Sequence, residues 1–485
     1  MGSRSRNIFV NASALVVATL LTRVVSVSVV ALLVRTLSTG DFARYSYLTS
    51  FVGMFAALAT LGLPSYLSRE VVQQPQRAPT LLKTAYILQI VFSVVSTLLI
   101  LVLGGSGRNS SDIWLLLLST FGMVTATTAT LFLYTINGLN RSYITAVVTV
   151  ISSLLNTLGL LLVIAFKPDL EALIWVYFLS GVIQHILSFL AFRWFFKELK
   201  FATGWPGFQD FKSVFLDSLP YVFLVAFTTI YFRIDIVLLE AWSTLAQVAQ
   251  YSAAYKFIEI VSILVSLIGT VFFAEFSNMQ AQGNQNTGMV LKRGLRYMVL
   301  IALPLAALIS FYARDILFIF YGDKYLQSTA MLQVLSWTTV FLFARNLQTG
   351  LVQAHNYVTI QVFVFAASSL LNVGLNYLFI PTQGGFGAAV ATLICEVFNF
   401  LAFSYFIYAK FGIVLIERWI APTALAFAAM LAVLGACTAV PAGLGISLAI
   451  LTFGGVLYLS GGLLPEDAGM WRRVTAKLTR KSSPG

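Results

Sequence analysis

Seven ionisable side chains lie inside long apolar stretches of the chain, where a charged group is unexpected. They are Arg23, Arg233, Asp235, Lys256, Glu259, Arg345 and Glu396. A charge at bilayer depth is costly, and such residues usually face the interior of a helix bundle or a water-filled cavity. Because guanidinium and ammonium groups donate hydrogen bonds to phosphate and carboxylate oxygens, the four cations are candidates to bind an anionic ligand.

Sequence spacing indicates which of these charges can pair locally. Lys256 and Glu259 are three residues apart and share a helix face, so a local ion pair and a cavity-lining role are both open. Arg233 and Asp235 are two residues apart, point to different faces and need not pair. Arg23 has no acid within one helical turn, which makes it the foremost candidate for contact with an anion. The alternative for Arg23 is an ion pair with Asp235 or Glu259 of another helix.

Three acids and two asparagines complete the candidate residues. Asp235, Glu259 and Glu396 are expected either to stabilise the structure or to take part in ion or proton coupling, because desolvation favours the neutral form of a carboxyl. Asn372 and Asn376 are four residues apart and lie on one helix face. They are expected to hydrogen-bond either a sugar or a neighbouring helix.

No metal site, cofactor or catalytic residue is expected. His185 and His355 are the only histidines, which excludes a histidine cluster on numbers. Cys395 and Cys437 lie in apolar runs and are expected to be inert thiols. The sequence contains neither a phosphate-cradling glycine loop nor a nucleophile elbow, so no catalytic dyad is predicted.

Composition places these residues in a membrane protein. The chain has 485 residues, of which 59% are hydrophobic and 10% charged, and its mean hydropathy is +0.88. Apolar runs long enough to cross a bilayer as helices recur throughout, and we count about fourteen candidate spans. The first run is interpreted as a span, because it lacks the small-residue cleavage site of a signal peptide. The net charge of +12 favours contact with the bilayer and no nucleic acid.

Lysine and arginine residues are distributed unevenly between the two sides of the predicted membrane. With an even number of spans both termini lie on one side, and twenty of the 30 basic residues fall there, against six on the other side. The positive-inside rule therefore predicts a multi-pass protein of the cytoplasmic (plasma or inner) membrane with both termini cytoplasmic. The predicted outer loops are short, which argues against an integral-membrane glycosyltransferase or polymerase.

Two sequence matches indicate an internal duplication. Ser38-Thr39 with Ala43-Arg44-Tyr45-Ser46 recurs as Ser243-Thr244 with Ala249-Gln250-Tyr251-Ser252. Later, Ser-Ser-Leu-Leu-Asn at 152–156 recurs at 368–372. Repeats of this kind are typical of carriers in which two halves enclose a central site. We therefore predict an all-α fold of two pseudo-symmetric six-helix bundles plus a C-terminal helix pair. The predicted domains are the N-terminal bundle 1–200, a cytoplasmic linker 201–213, the C-terminal bundle 214–410, the extra helix pair 411–465 and a basic cytoplasmic tail 466–485.

Four motifs carry a resemblance to a known family. They are Leu61-Gly62-Leu63-Pro64 with Ser68-Arg69-Glu70; Tyr231-Phe232-Arg233-Ile234-Asp235 with the segment 251–259; Tyr321-Gly322-Asp323-Lys324-Tyr325; and Asn372 and Asn376-Tyr377-Leu378-Phe379-Ile380-Pro381 with the segment 387–396. They follow the family's order over most of the chain. On these motifs the chain resembles the polysaccharide-transport (Wzx-type) flippases of the multidrug/oligosaccharidyl-lipid/polysaccharide exporter superfamily.

The resemblance implies two six-helix bundles that give alternating access to a central cavity, with no enzymatic activity. It also implies a lipid-linked oligosaccharide as cargo and polysaccharide assembly proteins as further partners. Arg233 and Lys256 would be cationic cavity residues by motif position, whereas Arg23 and Arg345 match by charge and depth alone. Three alternatives remain: a cation-coupled multidrug exporter of the same superfamily, a peptidoglycan-precursor flippase, and an integral-membrane glycosyltransferase or polymerase.

Overall fold

The structure, a computed structural model, describes residues 28–139, 141–195, 205–282, 286–415, 417–437 and 440–462. Within these ranges the chain is helical, with short connections and no strand. The predicted all-α fold is therefore confirmed. Arg23, the first part of the linker (201–204) and the tail 466–485 lie outside the described residues.

The helices follow one another with few intervening residues. Residues 28–36 form the described part of α1. The first half continues with α2 (Thr39–Thr60), α3 (Leu63–Gln73), α4 (Ala78–Gly105), α5 (Ser110–Gly138), α6 (Ser142–Phe166) and α7 (Leu170–Phe195). The second half has α8 (Phe208–Trp242), α9 (Leu245–Ala281), α10 (Thr287–Phe311), α11 (Ala313–Tyr321), α12 (Thr329–Ala354) and α13 (Val358–Phe411). Two further helices, α14 (Ile420–Ala436) and α15 (Ala442–Leu459), match the predicted helix pair.

Ten helices in the described ranges are long and apolar enough to cross a membrane. One of them, α13, has 54 residues, about twice the length of a single span, and contains two of the predicted spans. The helix α14 is apolar but shorter, with 17 residues. The first predicted span, 11–33, is described only from residue 28. The prediction of an all-α integral membrane protein is therefore confirmed, with ten candidate spans among the described residues.

The helix α13 reverses direction at Gly384. Asn376 and Thr392 both hydrogen-bond to the side chain of Asp235, although a straight helix would separate them by about 24 Å. Gly384 has φ 55° and ψ −134°, a backbone conformation that requires glycine. Gly387 lies so close to Phe379 that a Cβ atom would come within 2.7 Å of the Phe379 carbonyl oxygen. The glycine-rich turn that follows Pro381 therefore joins two antiparallel halves of α13.

The chain divides into two compact units, each drawn from separate parts of the sequence. Unit 1 consists of the described residues within Met1–Ile260, Leu317–Met331 and Tyr357–Cys395. Unit 2 consists of the described residues within Val261–Ile316, Leu332–Asn356 and Glu396–Gly485. These two units are defined by how the residues pack together, whereas the predicted domains are defined by the sequence repeat. The two divisions are therefore not comparable, and the predicted domain boundaries stay a prediction.

Apolar packing holds each unit together. In unit 1, α8 packs along α2 and also against α3 and α4. There, Val214 of α8 joins a buried cluster with Leu63, Leu67, Leu82 and Leu131. In unit 2, the pair α14 and α15 packs against the C-terminal part of α10. The buried side chains of this cluster include Ala307, Ala426, Met430, Leu434, Ala449, Phe453 and Leu457. Burial of such side chains away from water or lipid fixes the helix register on which the polar residues depend.

The duplicated sequences begin equivalent helices. At the start of α2 the hydroxyl of Ser38 accepts a hydrogen bond from the Asp41 amide, at 3.0 Å. At the start of α9 the hydroxyl of Thr244 accepts one from the Gln247 amide, at 3.3 Å. Side-chain caps of this kind fix a helix N-terminus. In both copies the shared tyrosine, Tyr45 or Tyr251, therefore occupies the same position relative to its helix start.

Candidate functional site

Arg233, Lys256 and Glu259 form a charged cluster within unit 1. Arg233 lies on α8, and the other two lie one helical turn apart on α9. The Lys256 ammonium donates to Glu259 Oε2 at 2.6 Å, and the Arg233 guanidinium lies 3.6 Å from Glu259 Oε1. The local Lys256–Glu259 pair and the separation of Arg233 from Asp235 both agree with the predicted spacing. One carboxylate thus serves two cations, so the cluster keeps one net positive charge.

The cluster is neither buried nor fully exposed. The side chains of Arg233, Lys256 and Glu259 are 37%, 27% and 32% exposed. Tyr45 of α2 and Tyr177 of α7 lie within electrostatic range of Arg233. The accessible part of the cluster is therefore its guanidinium, with the two phenol groups nearby in the surrounding helices. Such a guanidinium can donate several hydrogen bonds to an anionic oxygen.

Asp235 lies in a different environment, although it is only two residues from Arg233. It is 3% exposed and accepts hydrogen bonds from three neutral side chains. Tyr251 Oη and Thr392 Oγ1 donate to its Oδ2 at 2.8 and 2.7 Å, and Asn376 Nδ2 donates to its Oδ1 at 2.6 Å. Asn376 also donates to the side-chain oxygen of Asn372, at 3.0 Å. Among the described residues, every hydrogen-bond partner of Asp235 is uncharged.

This network can accommodate both protonation states of Asp235. Thr392 Oγ1 is within hydrogen-bond distance of Asp235 Oδ2 and of the Ala388 carbonyl, at 2.7 and 2.9 Å. A hydroxyl has one proton, so it donates either to the carboxylate or to the carbonyl. If Asp235 is protonated, it can donate to Thr392, and Thr392 then donates to Ala388. The site can therefore take up or release one proton without a change in backbone position.

The Asp235 carboxylate and the two hydroxyls also offer oxygen ligands to a small monovalent cation, whereas Asn376 presents its side-chain nitrogen to the carboxylate. Carboxylate, amide, hydroxyl and backbone carbonyl oxygens are the ligands that hard cations prefer. The described residues contain no cluster of three or more histidine, cysteine, aspartate or glutamate side chains that would hold a transition metal. The chemistry available at Asp235 is therefore reversible binding of a proton or of a hard cation.

Arg345 and Glu396 form a buried ion pair in unit 2. Arg345 Nε and Nη2 donate to the two carboxylate oxygens of Glu396 at 3.0 and 3.2 Å. Their side chains are 8% and 4% exposed. A two-point pair of this kind neutralises both charges and holds α12 to α13 within the unit. Contact of Arg345 with a ligand stays a prediction, and the paired geometry gives it no additional support.

Thus the structure sorts the predicted residues into three groups. Arg233, Lys256 and Glu259 meet in one cluster, Asp235 meets both asparagines in another, and Arg345 meets Glu396 in the third. The prediction for Arg23 lies outside the described residues. The sequence analysis missed Tyr251 and Thr392 because it weighted charged residues. Both lie in the quoted motifs, and Tyr251 also lies in the repeat.

Two family models match the chain, and both overlap the region of this site. A family model described as "Polysaccharide biosynthesis protein" matches residues 8–280. A second model, described as MatE, matches residues 220–378, which include Arg233, Asp235, Lys256 and Glu259. An uncharacterized membrane protein of Methanocaldococcus jannaschii is 25% identical over 162 residues. That match covers 33% of this chain and only 32% of the relative.

Solved transporter structures share the fold. The lipid II flippase MurJ in an inward closed conformation has a TM-score of 0.69 at 16% identity, covering 92% of this chain and 99% of that chain. An inward-facing multidrug resistance MATE family transporter of the MOP superfamily has a TM-score of 0.65 at 14% identity, covering 80% and 94%. A MOP superfamily transporter from Pyrococcus furiosus has a TM-score of 0.58 at 15% identity, covering 81% and 96%. At these identities the likeness concerns the fold alone.

Proposed function

Since the chain belongs to the polysaccharide biosynthesis protein family and is a transporter of the MOP superfamily, we propose that it is a flippase for a polyprenyl-diphosphate-linked oligosaccharide. The flippase would move its cargo across the cytoplasmic membrane by alternating access, for the biosynthesis of a cell-surface polysaccharide. Both termini would be cytoplasmic, and polysaccharide assembly proteins would be its further partners.

The observation that supports this proposal best is the accessible cationic cluster of Arg233, Lys256 and Glu259. A diphosphate-linked glycan has an anionic, strongly hydrated head that does not cross hydrocarbon unaided. A guanidinium 37% exposed on a spanning helix offers forked donors to phosphate oxygens. Glu259 fixes the cluster and reduces its charge to one net positive unit, so the diphosphate is attracted without being held too tightly to leave.

Energy for directional transport would come from an ion gradient that is coupled to transport through Asp235. The described chain contains no glycine-rich phosphate loop of the kind that binds ATP, and Asp235 is a buried acid with only neutral partners. Uptake of a proton or a monovalent cation at Asp235 would therefore couple an ion gradient to the conformational change. In this scheme Asn372 and Asn376 are positioning residues of the coupling site rather than sugar ligands.

A cation-coupled multidrug exporter is the second candidate function. The MatE model match and the buried acid both favour it. The charge of the accessible cluster argues against it, because drug cargo of such exporters is commonly cationic and Arg233 and Lys256 would repel it. Transport of an organic cation is thus the outcome that would replace the first proposal.

The test is lipid flipping in sealed liposomes. Purified protein is reconstituted with fluorescent polyprenyl-diphosphate oligosaccharides, and the label reached by a membrane-impermeant quencher is followed with time. Arg233→Gln removes the charge, whereas the matched Arg233→Lys variant keeps the charge and removes the fork. We expect wild type to flip the lipid, Arg233→Gln to flip it at least tenfold more slowly, and Arg233→Lys to lie between them.

Two results would contradict the proposal. The first is wild-type protein that moves none of the glycolipids but exports a small organic cation such as ethidium. The second is an Arg233→Gln variant that flips the glycolipid at the wild-type rate, which would remove the cluster from substrate binding. Binding energies of about 1.5–3 kcal/mol for a charge-assisted hydrogen bond underlie the tenfold threshold.

A further inference from the structure

A small polar pocket lies at one end of unit 1 and shares no lining residue with the three groups described above. It has a volume of about 200 Å³ and is lined by Arg44, Tyr47, Leu48, Arg108, Asp112, Leu170, Glu240, Ser243 and Leu245. The pocket lies where α2, α5 and α7 begin and where α8 ends. By the predicted topology this end faces away from the cytoplasm.

On one side of the pocket the side chains are held in place by contacts with one another. Arg108 Nη2 donates to Glu240 Oε1 at 2.7 Å, and the Arg108 guanidinium lies over the ring of Tyr47, 4.7 Å from its centroid. Tyr47 is itself buried, with 6% exposure. An arginine held by both a carboxylate and an aromatic face loses little conformational freedom when a ligand binds.

The other side of the pocket presents two opposite charges that are open to a ligand. Arg44 is exposed, Asp112 is half-buried, and among the described residues neither has an ion-pair or side-chain hydrogen-bond partner. Together with the Arg108–Glu240 pair, the lining therefore carries two cations and two anions. A phosphate would be attracted by the arginines but repelled by Asp112 and Glu240.

Such a lining matches a neutral polyhydroxylated ring. Each sugar hydroxyl can donate to a carboxylate and accept from a guanidinium, so adjacent hydroxyls can use both kinds of group at once. The volume is below the roughly 300–1,000 Å³ of pockets for drug-sized ligands, which leaves room for a single ring. The apolar side chains of Leu48, Leu170 and Leu245 can cover the non-hydroxylated face of that ring.

We propose that this pocket is a subsite for one neutral sugar of the transported glycan, at the non-cytoplasmic end of unit 1. That the sugar belongs to the transported glycan rests on the proposed function. That the pocket binds a neutral sugar rests on the pocket lining alone. The subsite would bind a sugar as the head of the cargo reaches the far side. Its weak, multiple hydrogen bonds would select among glycans without retaining the product.

Protection of a cysteine from alkylation tests sugar binding directly. Leu245 lines the pocket and is 40% exposed, so Leu245→Cys introduces a reporter in a Cys437→Ser background; Cys395 is buried. Thr382→Cys is the matched control, because Thr382 is exposed in the turn region of α13. Detergent-solubilised protein is alkylated by a maleimide with and without glucose, galactose, N-acetylglucosamine, glucuronate, inorganic phosphate or glycerol.

We expect at least one neutral sugar to slow alkylation of Leu245→Cys and to leave Thr382→Cys unaffected. A sugar with Kd of about 1 mM would slow the reaction roughly tenfold at about 10 mM. Adding Arg44→Gln or Asp112→Asn to the reporter should abolish the protection, while thermal unfolding confirms that each variant is folded. Glycerol should have no effect, because it lacks the ring.

Three outcomes would overturn the inference: no protection by any neutral sugar up to about 100 mM, stronger protection by phosphate or glucuronate than by the neutral sugars, or equal protection of both cysteines. The liposome assay separates this inference from the proposed function. Glycolipid flipping by wild type without sugar protection would overturn the subsite and keep the flippase. Sugar protection without flipping would keep the sugar site and overturn the flippase.

Discussion

Replacement of Asp235 by asparagine isolates the coupling role of the buried acid. In the described network the Asp235 carboxyl accepts from Asn376 at Oδ1 and faces the hydroxyls of Tyr251 and Thr392 at Oδ2. An asparagine can keep its oxygen towards Asn376 and turn its amide towards Thr392, which then donates to Ala388. The Tyr251 hydroxyl, which loses Oδ2 as its acceptor, can donate to Thr392 Oγ1, 3.2 Å away. The Asp235→Asn side chain thus imitates the protonated acid but cannot release a proton.

The structure sets the size of the two expected effects. The network of Asp235→Asn stays hydrogen-bonded, so the free energy of unfolding should change by only about 1 kcal/mol. The loss of coupling should be complete. A gradient of one pH unit supplies about 1.4 kcal/mol for each proton, or about tenfold in the ratio of cargo between leaflets. Wild type should reach a leaflet asymmetry of up to tenfold, and Asp235→Asn should show none.

The assay is glycolipid flipping in liposomes with an imposed pH gradient, followed by a parallel series with a tenfold sodium gradient. Asp217→Asn is the matched control, since it removes an exposed acid from the same helix. It should keep the wild-type gradient response. A folded Asp235→Asn variant that still responds fully to both gradients would refute the assignment of Asp235 as the coupling group.

Three further predictions concern other parts of the chain. Glu396→Leu should destabilise the solubilised protein by about 3–5 kcal/mol in thermal unfolding, because it removes the carboxylate that faces the buried Arg345 guanidinium, and adding Arg345→Met should restore most of the loss. Gly384→Ala should cost about 1–3 kcal/mol, because φ is 55° and the added Cβ would lie 2.8 Å from Gln247 Oε1; Gly374→Ala, with open space around it, should be neutral. Arg23→Ala should slow glycolipid flipping if Arg23 contacts the cargo, and an unchanged rate would assign it to structure.

Much of the fold follows from the sequence because lipid imposes a simple rule. Backbone groups must be satisfied within each span, so every apolar run of about 20 residues becomes a helix. The glycines after Pro381 marked the reversal inside α13, since only glycine adopts the conformation of Gly384 without strain. The exact position of the reversal, at Gly384, was not predictable, because it depends on the local backbone geometry of the turn.

The candidate site was predictable only where partners are close in sequence. The Lys256–Glu259 pair follows from a spacing of one helical turn. The approach of Arg233 to Glu259 depends on how α8 and α9 pack, and the pairing of Arg345 with Glu396 depends on α12 and α13. The spacing of residues along the sequence does not indicate these contacts between different helices. Tyr251 and Thr392 were not predicted for a further reason. A neutral residue in an apolar helix carries no charge, so its sequence position does not indicate the energetic penalty that marks a functional residue in a membrane.

The proximity of Arg233 and Asp235 on α8 links cargo and coupling in the proposed mechanism. The two residues are separated by a rise of about 3 Å along the helix axis and lie on different faces. An anion bound at Arg233 and a charged carboxylate at Asp235 repel each other through a medium of low dielectric. If the cargo binds as proposed, its binding would therefore favour uptake of a proton or cation at Asp235, and that uptake would strengthen cargo binding by the same factor. Because both residues lie on α8, cargo binding at Arg233 and ion uptake at Asp235 would be coupled directly, without a chain of intermediate residues.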